Sequence, residues 1–200
     1  MQQDSLVQKL IAALAAPGGA SSDFDLNPEF PLPEGRVLRP AGVLIAIDTC
    51  DARPQVILTK RSARLKHHPG QIAFPGGKQD PGDPTPTDAA LRESEEEIGL
   101  PRALPQVIGT LPAHETVTGF RITPVVALVS QPFAERAEAG EVDEVFRVPL
   151  DYLMTPASYR IEGRRWQGRR RLYYAVPWGP FYIWGATARI LRGLADRAAG

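Results

Sequence analysis

Apolar residues recur at helical spacing near both ends of the chain, which predicts an amphipathic helix at each end. The first helix is expected to stop at the proline- and glycine-rich segment that begins at Ala16. The last helix is predicted over residues 184–199, with Ile190, Leu191 and Leu194 on its buried side.

A third helix is predicted in the middle of the chain, over residues 87–98. Thr85 or Thr87 can cap its start, and Gly99 can end it in a left-handed conformation. The segment before it, residues 67–87, is broken by proline and glycine and is predicted as a loop with a short strand at 72–74.

Runs of β-branched and aromatic residues predict the other strands, at residues 41–48, 55–62, 106–111, 121–129 and 144–150. Residues 151–154 are expected to begin a short helix, and residues 159–176 to form a hairpin with its turn near residues 166–169. The order helix, strands, helix, strands, helix predicts an α+β fold, an α/β/α sandwich with a mixed β-sheet. We expect residues 1–40 to form an N-terminal helix and an extended lead-in, and residues 41–200 to form a single domain.

Composition narrows the class of protein. The formal net charge is zero, so the overall basic field of a nucleic-acid-binding protein is missing. Cys50 is the single cysteine, which excludes an internal disulfide and fits a reducing compartment. No apolar run approaches the ~20 residues that span a bilayer, and Asp4 and Lys9 make the first helix unlike a signal peptide. These features predict a cytoplasmic protein that binds neither membranes nor nucleic acid.

The stretch LRESEEEIGL, residues 91–100, concentrates negative charge on one side of the central helix. A helical wheel separates Leu91 and Ile98 from Glu93, Glu96 and Glu97, whose i, i+3 and i+4 spacing makes the carboxylates neighbours that repel one another. Hard divalent cations take such oxygen ligands, whereas the alternative is a solvated acidic helix face.

The residues around these glutamates favour the metal interpretation. Arg92 can pair with Glu96 at i+4. The preceding loop, FPGGKQDPGD, supplies glycines that allow close backbone approach and a further carboxylate in Asp80 or Asp83. A glycine loop that leads into an acidic helix suits a metal–diphosphate site.

The segment GGKQDPGDPTPTDAALRESEEEIGL resembles the Nudix box, whose pattern is G-x5-E-x7-R-E-U-x-E-E-x-G-U with U apolar. The positions that match are Gly77, Arg92, Glu93, Glu96, Glu97, Gly99 and Leu100. Asp83 stands at the first acidic position in place of glutamate, the gap from it to Arg92 is one residue longer than the pattern, and Ser94 stands at the first apolar position.

A narrower resemblance covers LTKRSARLKHHPGQIAFPGG, residues 58–77, which is similar to the segment before the Nudix box in coenzyme A pyrophosphatases. Their pattern has the form L-T-x-R-S-x-x-L-x-x-H-x-G-Q-V-x-F-P-G-G. The matching residues are Leu58, Thr59, Arg61, Ser62, Leu65, His68, Gly70, Gln71, Phe74, Pro75, Gly76 and Gly77. Residues 141–153 and 183–191 also resemble this subfamily, so the likeness extends over roughly residues 40–192.

The resemblance implies hydrolysis of the coenzyme A diphosphate to 4′-phosphopantetheine and adenosine 3′,5′-bisphosphate. It implies that Glu93, Glu97 and the Gly76 carbonyl hold magnesium or manganese, that Glu96 binds the metal directly or through water, and that Arg92 orients the glutamates. A glutamate outside the box acts on the attacking water in some Nudix enzymes, and a box glutamate does so in others. Glu115, Glu141 and Glu144 are the candidates outside the box, and Glu141 and Glu144 lie in a stretch that resembles the subfamily; the alternative for each is an ordinary surface glutamate.

A basic cluster directly upstream of the acidic site can receive phosphates that the metal does not cover. Its members are Arg61, Arg64, Lys66, His67 and His68. The alternatives are a solvated strand edge for the arginines and a loop-stabilising hydrogen bond for the histidines. Gln71 either fixes the loop or contacts substrate.

The arginine-rich hairpin and the last aromatic residues have less specific interpretations. The hairpin is expected to be a cationic surface, with binding of an adenine or of another subunit as the alternative. Trp178, Phe181 and Trp184 are expected in the core or in subunit contacts. A small-molecule substrate is the expected partner, with a homodimer as a further possibility. The competing hypotheses are a Nudix hydrolase of another nucleoside diphosphate derivative and a non-catalytic nucleotide-sensing module.

Overall fold

The computed structural model describes residues 2–30, 35–166 and 168–200. Within these residues the helices are α1 (Gln2–Ala15), α2 (Pro86–Ile98), α3 (Leu150–Leu153) and α4 (Ala186–Ala199), with a 3₁₀ turn at Pro156–Ser158. No helix of this described part of the chain is long and apolar enough to cross a membrane.

The strands fall into two sheets. The larger sheet contains β1 (Ser21–Ser22), β2 (Arg39–Asp48), β3 (Gln55–Arg61), β4 (Ile72–Ala73), β5 (Gly76–Lys78), β6 (Gln106–Thr110), β7 (His114–Glu115), β8 (Phe120–Val129) and β9 (Val142–Pro149). The smaller sheet contains β10 (Arg160–Trp166), β11 (Arg169–Trp178) and β12 (Phe181–Trp184).

Strand β2 organises the larger sheet, because it pairs in parallel with β8 along its whole length and antiparallel with both β3 and β5. Strands β4 and β9 pair with β3, and β6 and β7 pair with β8. Strand β1 pairs in parallel with β7. The smaller sheet is antiparallel throughout. The larger sheet is therefore mixed, as predicted.

Successive side chains of β2 pack on opposite faces of this sheet. Leu44 and Ala46 belong to a core that includes Ile98 of α2, whereas Ile45 and Ile47 belong to a core shared with α1, α4 and the smaller sheet. Two cores on opposite faces of one sheet give helices on both sides of it. The predicted α+β fold with a mixed sheet and flanking helices is confirmed.

Helix α2 begins and ends at strong capping signals. The Thr85 hydroxyl accepts the Asp88 N–H at 3.3 Å, and the Asp88 carboxylate accepts the Thr85 N–H at 3.0 Å. Gly99 ends the helix with φ 74°. A Cβ atom at Gly42 of β2 would lie 1.7 Å from the carbonyl oxygen of Pro86, so the first turn of α2 rests directly on the sheet.

Most predicted element bounds shift by one or two residues, and two of the differences have a clear physical cause. Helix α4 begins at Ala186 and not at residue 184, because the aromatic segment Phe181–Trp184 pairs with β11 and Gly185, at φ 67°, separates strand from helix. Residues Gly76–Lys78, predicted as loop, form β5 because their backbone pairs with residues 41–43 of β2.

Residues 21–27, which we call the N-terminal strap, join the lead-in to both sheets. Strand β1 extends the larger sheet at β7. The buried Asn27 side chain donates to the Leu172 carbonyl at 2.9 Å and accepts the Leu172 N–H at 2.7 Å. Asn27 thus satisfies the backbone of β11 as a neighbouring strand would.

Replacing Asn27 by alanine is expected to lower the free energy of unfolding by about 1–3 kcal/mol, because the backbone groups of Leu172 lose their partner in a buried environment. Thermal unfolding should detect a loss of roughly 2–10 °C in Tm. The matched control is Gln8→Ala, which removes an exposed amide from α1 and should change stability by less than about 0.5 kcal/mol. Equal Tm values for the two variants would contradict the role given to Asn27.

Candidate active site

The glutamates of α2 occupy three different environments. The Glu97 side chain is 6% exposed, Glu93 is 19% exposed, and Glu96 is 53% exposed. On the helical wheel the three carboxylates form one acidic face. In the structure, Glu97 and Glu93 face the backbone of β5, and Glu96 lies at the rim.

Glu97 is a buried carboxylate with little compensating charge. Its Oε2 accepts the Gly76 N–H at 3.0 Å, and its Oε1 lies 4.0 Å from Nη1 of Arg61. The pKa of Glu97 is raised to about 7. Burial is the main cause; the nearby Glu93 and Glu141 carboxylates also raise the pKa, whereas the Gly76 N–H and Arg61 lower it. A perturbed carboxyl group of this kind is typical of functional sites.

Gly76 and Gly77 allow the backbone to come this close to the helix. Gly76 has φ 145°, and a Cβ atom there would lie 2.4 Å from the carbonyl oxygen of Gly42. A Cβ atom at Gly77 would lie 2.5 Å from the Glu93 carboxyl carbon. Any larger residue would therefore displace either the strand or the glutamate.

Arg92 connects the loop to the outer glutamates. Its Nη2 lies 2.9 Å from Asp83 Oδ2 and 3.0 Å from Glu93 Oε1, and its Nη1 lies 3.0 Å from Glu96 Oε2. The Asp83 hydrogen bond is the main reason that the pKa of Arg92 is raised, and the same bond holds the pKa of Asp83 below its ordinary value. Asp80 is more exposed and lies 3.7 Å from Arg92.

Asp83, which stands at the first acidic position of the box, contacts Arg92 although the gap between them is one residue longer than in the pattern. Asp83 accepts the Asp80 N–H at 2.9 Å and binds Arg92, so its carboxylate is directed at the arginine. Among Asp80 and Asp83, the structure thus makes Asp83 the anchor of Arg92, and Arg92 in turn contacts Glu93 and Glu96.

The candidate carboxylates later in the chain separate into two groups. Glu141 acts electrostatically on both Glu93 and Glu97, and its carbonyl accepts the Ser62 N–H at 2.8 Å. Glu144 pairs in register with Lys60 and lines a separate small cavity beside Tyr182. The structure therefore brings Glu141, and not Glu144, to the glutamate cluster; Glu115 instead pairs with Arg36 at 2.9 Å.

The donor set fits a hard divalent cation that binds partly through other oxygens. Across the described residues, no three acidic, histidine or cysteine side chains are close enough together to hold an ion by themselves. The Glu93 carboxylate nevertheless raises the pKa of Glu97, and burial raises the pKa of Glu93 despite the neighbouring Arg92. Magnesium commonly uses one or two carboxylates and completes its shell with water and substrate phosphates, which matches this arrangement.

A cavity of about 730 Å³ adjoins the glutamates and reaches away from them, a volume typical of small-molecule sites. The predicted residues that line it are Arg61, His67, His68, Gln71, Gly76 and Gly77. Arg64 and Lys66 are exposed and do not line it, so the basic cluster divides into a cavity part and a solvent part.

For the other walls of this cavity, the sequence offered only the alternative that the hairpin binds an adenine. They include Arg39 of β2, Arg164 and Arg171 of the hairpin, and Trp184 of β12. Trp184 had been expected in the core or in a subunit contact; it lines this cavity and is not part of the core cluster. The signal available in the sequence was the alternation of arginines along the predicted hairpin.

Trp178 and Phe181 are half-buried and pack against the core. The Phe181 ring stacks on Phe146 with centroids 3.6 Å apart, and the Trp178 ring lies 5.0 Å from Tyr152.

The family model for the NUDIX domain matches residues 38–172. The chain belongs to the Nudix family. It is 40% identical to the uncharacterized Nudix hydrolase NudL of Citrobacter koseri and 39% identical to that of Escherichia coli strain K12, in both cases over 157 residues that cover 78% of this chain and 81% of the relative. The solved structure of the MutT protein from Methanosarcina mazei Go1 matches with a TM-score of 0.50 and 16% identity, over 84% of this chain and 96% of that one, which supports the fold.

Membership of the Nudix family makes this chain a Nudix-type pyrophosphohydrolase with a small nucleotide-like substrate. Nudix hydrolases generally use a divalent metal. The Nudix helix is α2, and the cavity beside it is the space available for the substrate.

Replacing Glu97 by glutamine is expected to stabilise the metal-free protein at alkaline pH. The folded state raises the pKa of Glu97 from 4.5 to about 7, so ionisation destabilises the fold increasingly between these values and fully above pH 7. Glutamine has no charge, so the variant should be more stable than the wild type by up to about 3 kcal/mol at pH 8 and equally stable near pH 4.5. Thermal unfolding of the wild type and of Glu97→Gln at both pH values, in the presence of a chelator, measures these differences.

Glu96→Gln is the matched control, since it makes the same change at a carboxylate that is 53% exposed and should have only a small effect on stability. A Glu97→Gln stability difference that is the same at both pH values would contradict the buried, uncompensated charge.

Proposed function

We propose that this Nudix hydrolase cleaves the diphosphate of coenzyme A, or of its oxidised or acyl forms, to 4′-phosphopantetheine and adenosine 3′,5′-bisphosphate. One observation carries the proposal. Residues 58–77 resemble the coenzyme A pyrophosphatases, and their Arg61, His68 and Gln71 line the same cavity as Gly76 and Gly77 beside the Nudix helix.

The charge of the cavity supports an anionic substrate with several phosphates. Coenzyme A carries a diphosphate, a ribose 3′-phosphate and a pantetheine arm. Six arginine or lysine residues are among the described residues that line the cavity, against the single carboxylate of Asp23; they are Arg39, Arg61, Lys78, Arg164, Arg171 and Arg189. Guanidinium groups bind phosphates through paired, charge-assisted hydrogen bonds.

In this proposal the protein holds a divalent metal, magnesium or manganese, through Glu93, Glu97 and the Gly76 carbonyl, with Glu96 binding directly or through water. The metal, when bound, neutralises diphosphate oxygens and lowers the pKa of a coordinated water. The N–H of Gly76 fixes one oxygen of Glu97. Arg92 orients Glu93 and Glu96, and Asp83 orients Arg92.

Arg61 and Glu141 have distinct tasks in the proposed reaction. Arg61 lines the cavity and lies 4.0 Å from Glu97, at the boundary between the cavity and the glutamates. Its guanidinium can therefore bind an oxygen of either phosphate of the diphosphate. Glu141 acts electrostatically on the cluster and is the carboxylate that we propose to accept the proton of the attacking water. Glu144 is set aside for this task, because it lies beside Lys60.

Incubating the protein with coenzyme A and magnesium or manganese is expected to release adenosine 3′,5′-bisphosphate, resolved by chromatography, and to release none with a chelator. ADP-ribose and a dinucleoside polyphosphate should be slow by comparison. Glu97→Gln should lose most activity, about 100-fold or more, while remaining folded, since it removes a charged metal ligand.

Metal-dependent turnover of ADP-ribose or the dinucleoside polyphosphate, without turnover of coenzyme A, would overturn the proposed substrate and leave the Nudix helix in its role. Absence of turnover with every substrate would favour a nucleotide-sensing module. Wild-type turnover by Glu97→Gln would contradict its role as a ligand.

Replacing Gly77 by alanine should reduce activity by about tenfold or more, because the new Cβ atom would displace the Glu93 carboxylate that lies 2.5 Å from its position. Gly82→Ala is the matched control in the same loop, since nothing lies within 4 Å of its new Cβ atom. Steady-state kinetics with coenzyme A measure both variants. Similar activities of the two variants would contradict the close approach of loop and helix.

A further inference from the structure

Two pairs of arginines face each other across the hairpin of β10 and β11. Arg164 pairs in register with Arg171, and Arg165 pairs with Arg170. Like charges placed directly opposite on neighbouring strands destabilise a sheet. An anion bound between the members of a pair would relieve this repulsion.

The two pairs lie on opposite faces of the hairpin, because side chains alternate along a strand. Arg164 and Arg171 line the cavity of the active site, whereas Arg165 and Arg170 are exposed and do not line it. The first pair is therefore in reach of a bound substrate, and the second provides an internal comparison with the same chemistry.

An aromatic surface adjoins the cavity pair. The Arg164 guanidinium lies 4.5 Å from the Trp184 ring centroid, and the Tyr173 ring meets Trp184 edge-on at 5.2 Å. Arg171 lies 5.5 Å over the Phe24 ring and donates to the Asp23 carbonyl at 3.5 Å. Flat rings beside guanidinium groups are the surroundings in which a nucleobase and a phosphate bind together.

This end of the cavity is connected to the end at the Nudix helix. A Cβ atom on Gly185, which follows Trp184, would lie 3.5 Å from the Gln71 amide nitrogen. The Thr187 hydroxyl donates to the Ile72 carbonyl at 3.1 Å. One ligand can therefore extend from Gln71 and Arg61 to Trp184 and the arginine pair.

Among the described residues that line the cavity, Asp23 is the one carboxylate, and it attracts Arg171 without a hydrogen bond between the two side chains. The Asp23 carboxylate accepts the Val117 N–H at 2.9 Å and lies 3.3 Å from Nε2 of His114. The hydrogen bond from Arg171 goes to the Asp23 backbone carbonyl, so one partly engaged carboxylate stands against two guanidinium groups. The arginine pair thus keeps a positive potential toward the cavity.

We infer that Arg164 and Arg171 form a second phosphate subsite, which binds a monophosphate remote from the diphosphate under attack, with Trp184 stacking on the attached base. The inference rests on the proposed function, in which that group is the 3′-phosphate of coenzyme A. In this inference the hairpin determines whether substrates with the 3′-phosphate bind more tightly than those without it.

The test compares coenzyme A with 3′-dephospho-coenzyme A, which has the same diphosphate and pantetheine arm. Wild-type protein should show a lower KM for coenzyme A. Arg164→Gln/Arg171→Gln should raise the KM for coenzyme A about tenfold or more with little change in kcat, because the contact does not change during the reaction. Its KM for 3′-dephospho-coenzyme A should stay the same.

Arg165→Gln/Arg170→Gln is the matched control and should leave both KM values unchanged. The single variants Arg164→Gln and Arg171→Lys, with thermal unfolding of each, test for any effect on folding. Equal KM increases for both substrates would overturn the subsite, as would equal effects of the Arg164/Arg171 and Arg165/Arg170 double variants.

Calorimetric binding of adenosine 3′,5′-bisphosphate and of adenosine 5′-monophosphate, without metal, tests the subsite independently of turnover. Tighter binding of the bisphosphate by the wild type, lost in Arg164→Gln/Arg171→Gln, supports the subsite even if coenzyme A is not hydrolysed. Hydrolysis of both coenzyme A forms with no preference, together with equal binding of both nucleotides, would refute the subsite and leave the proposed function standing.

Discussion

The contact between the Gly76 backbone and the buried Glu97 carboxylate organises the active site. Its 3.0 Å hydrogen bond requires the loop to lie against α2 with no side chain between them, and Gly76 and Gly77 meet this requirement. Pairing of β5 with β2 and the approach of α2 to Gly42 hold the two partners at this distance. The fold keeps Glu97 buried although burial raises its pKa to about 7, a cost to stability that is typical of residues retained for function.

Arg92 distributes its positive charge among the carboxylates that surround it. It binds Asp83 on the loop side and both Glu93 and Glu96 on the helix side. This network holds the outer glutamates close together despite their repulsion. The contacts of Arg92 do not extend to Glu97, whose one nearby cation among the described residues is Arg61 at 4.0 Å.

The cavity is assembled from segments that are far apart in the sequence. The Nudix match covers residues 38–172 and includes the glutamate helix, whereas Asp23 of the strap and Trp184 and Arg189 near the C-terminus line the cavity from outside that range. The parts of the chain that carry the hydrolytic chemistry and the parts that enclose the substrate are thus partly separate. Asn27 fixes the strap to β11, so the enclosing parts also support one another.

The sequence by itself determined the elements whose signals are local. Periodicity and caps defined α2 between Thr85 and Gly99, and the order of elements was sufficient to predict a mixed sheet with helices on both faces. The helical wheel grouped Glu93, Glu96 and Glu97, because a helix brings residues three and four positions apart to the same side. The resemblance to the Nudix box added Arg92 to this group.

Only the tertiary structure decided how these side chains differ and what lies opposite them. Burial of Glu97, the direction of Asp83 toward Arg92, and the separation of Glu141 from Glu144 all depend on which strands neighbour β3 and β5. Strand register and the packing of the smaller sheet place Trp184, Arg164 and Arg171 at the cavity. Contacts of this kind join residues tens of positions apart, and no local pattern of spacing or polarity records them.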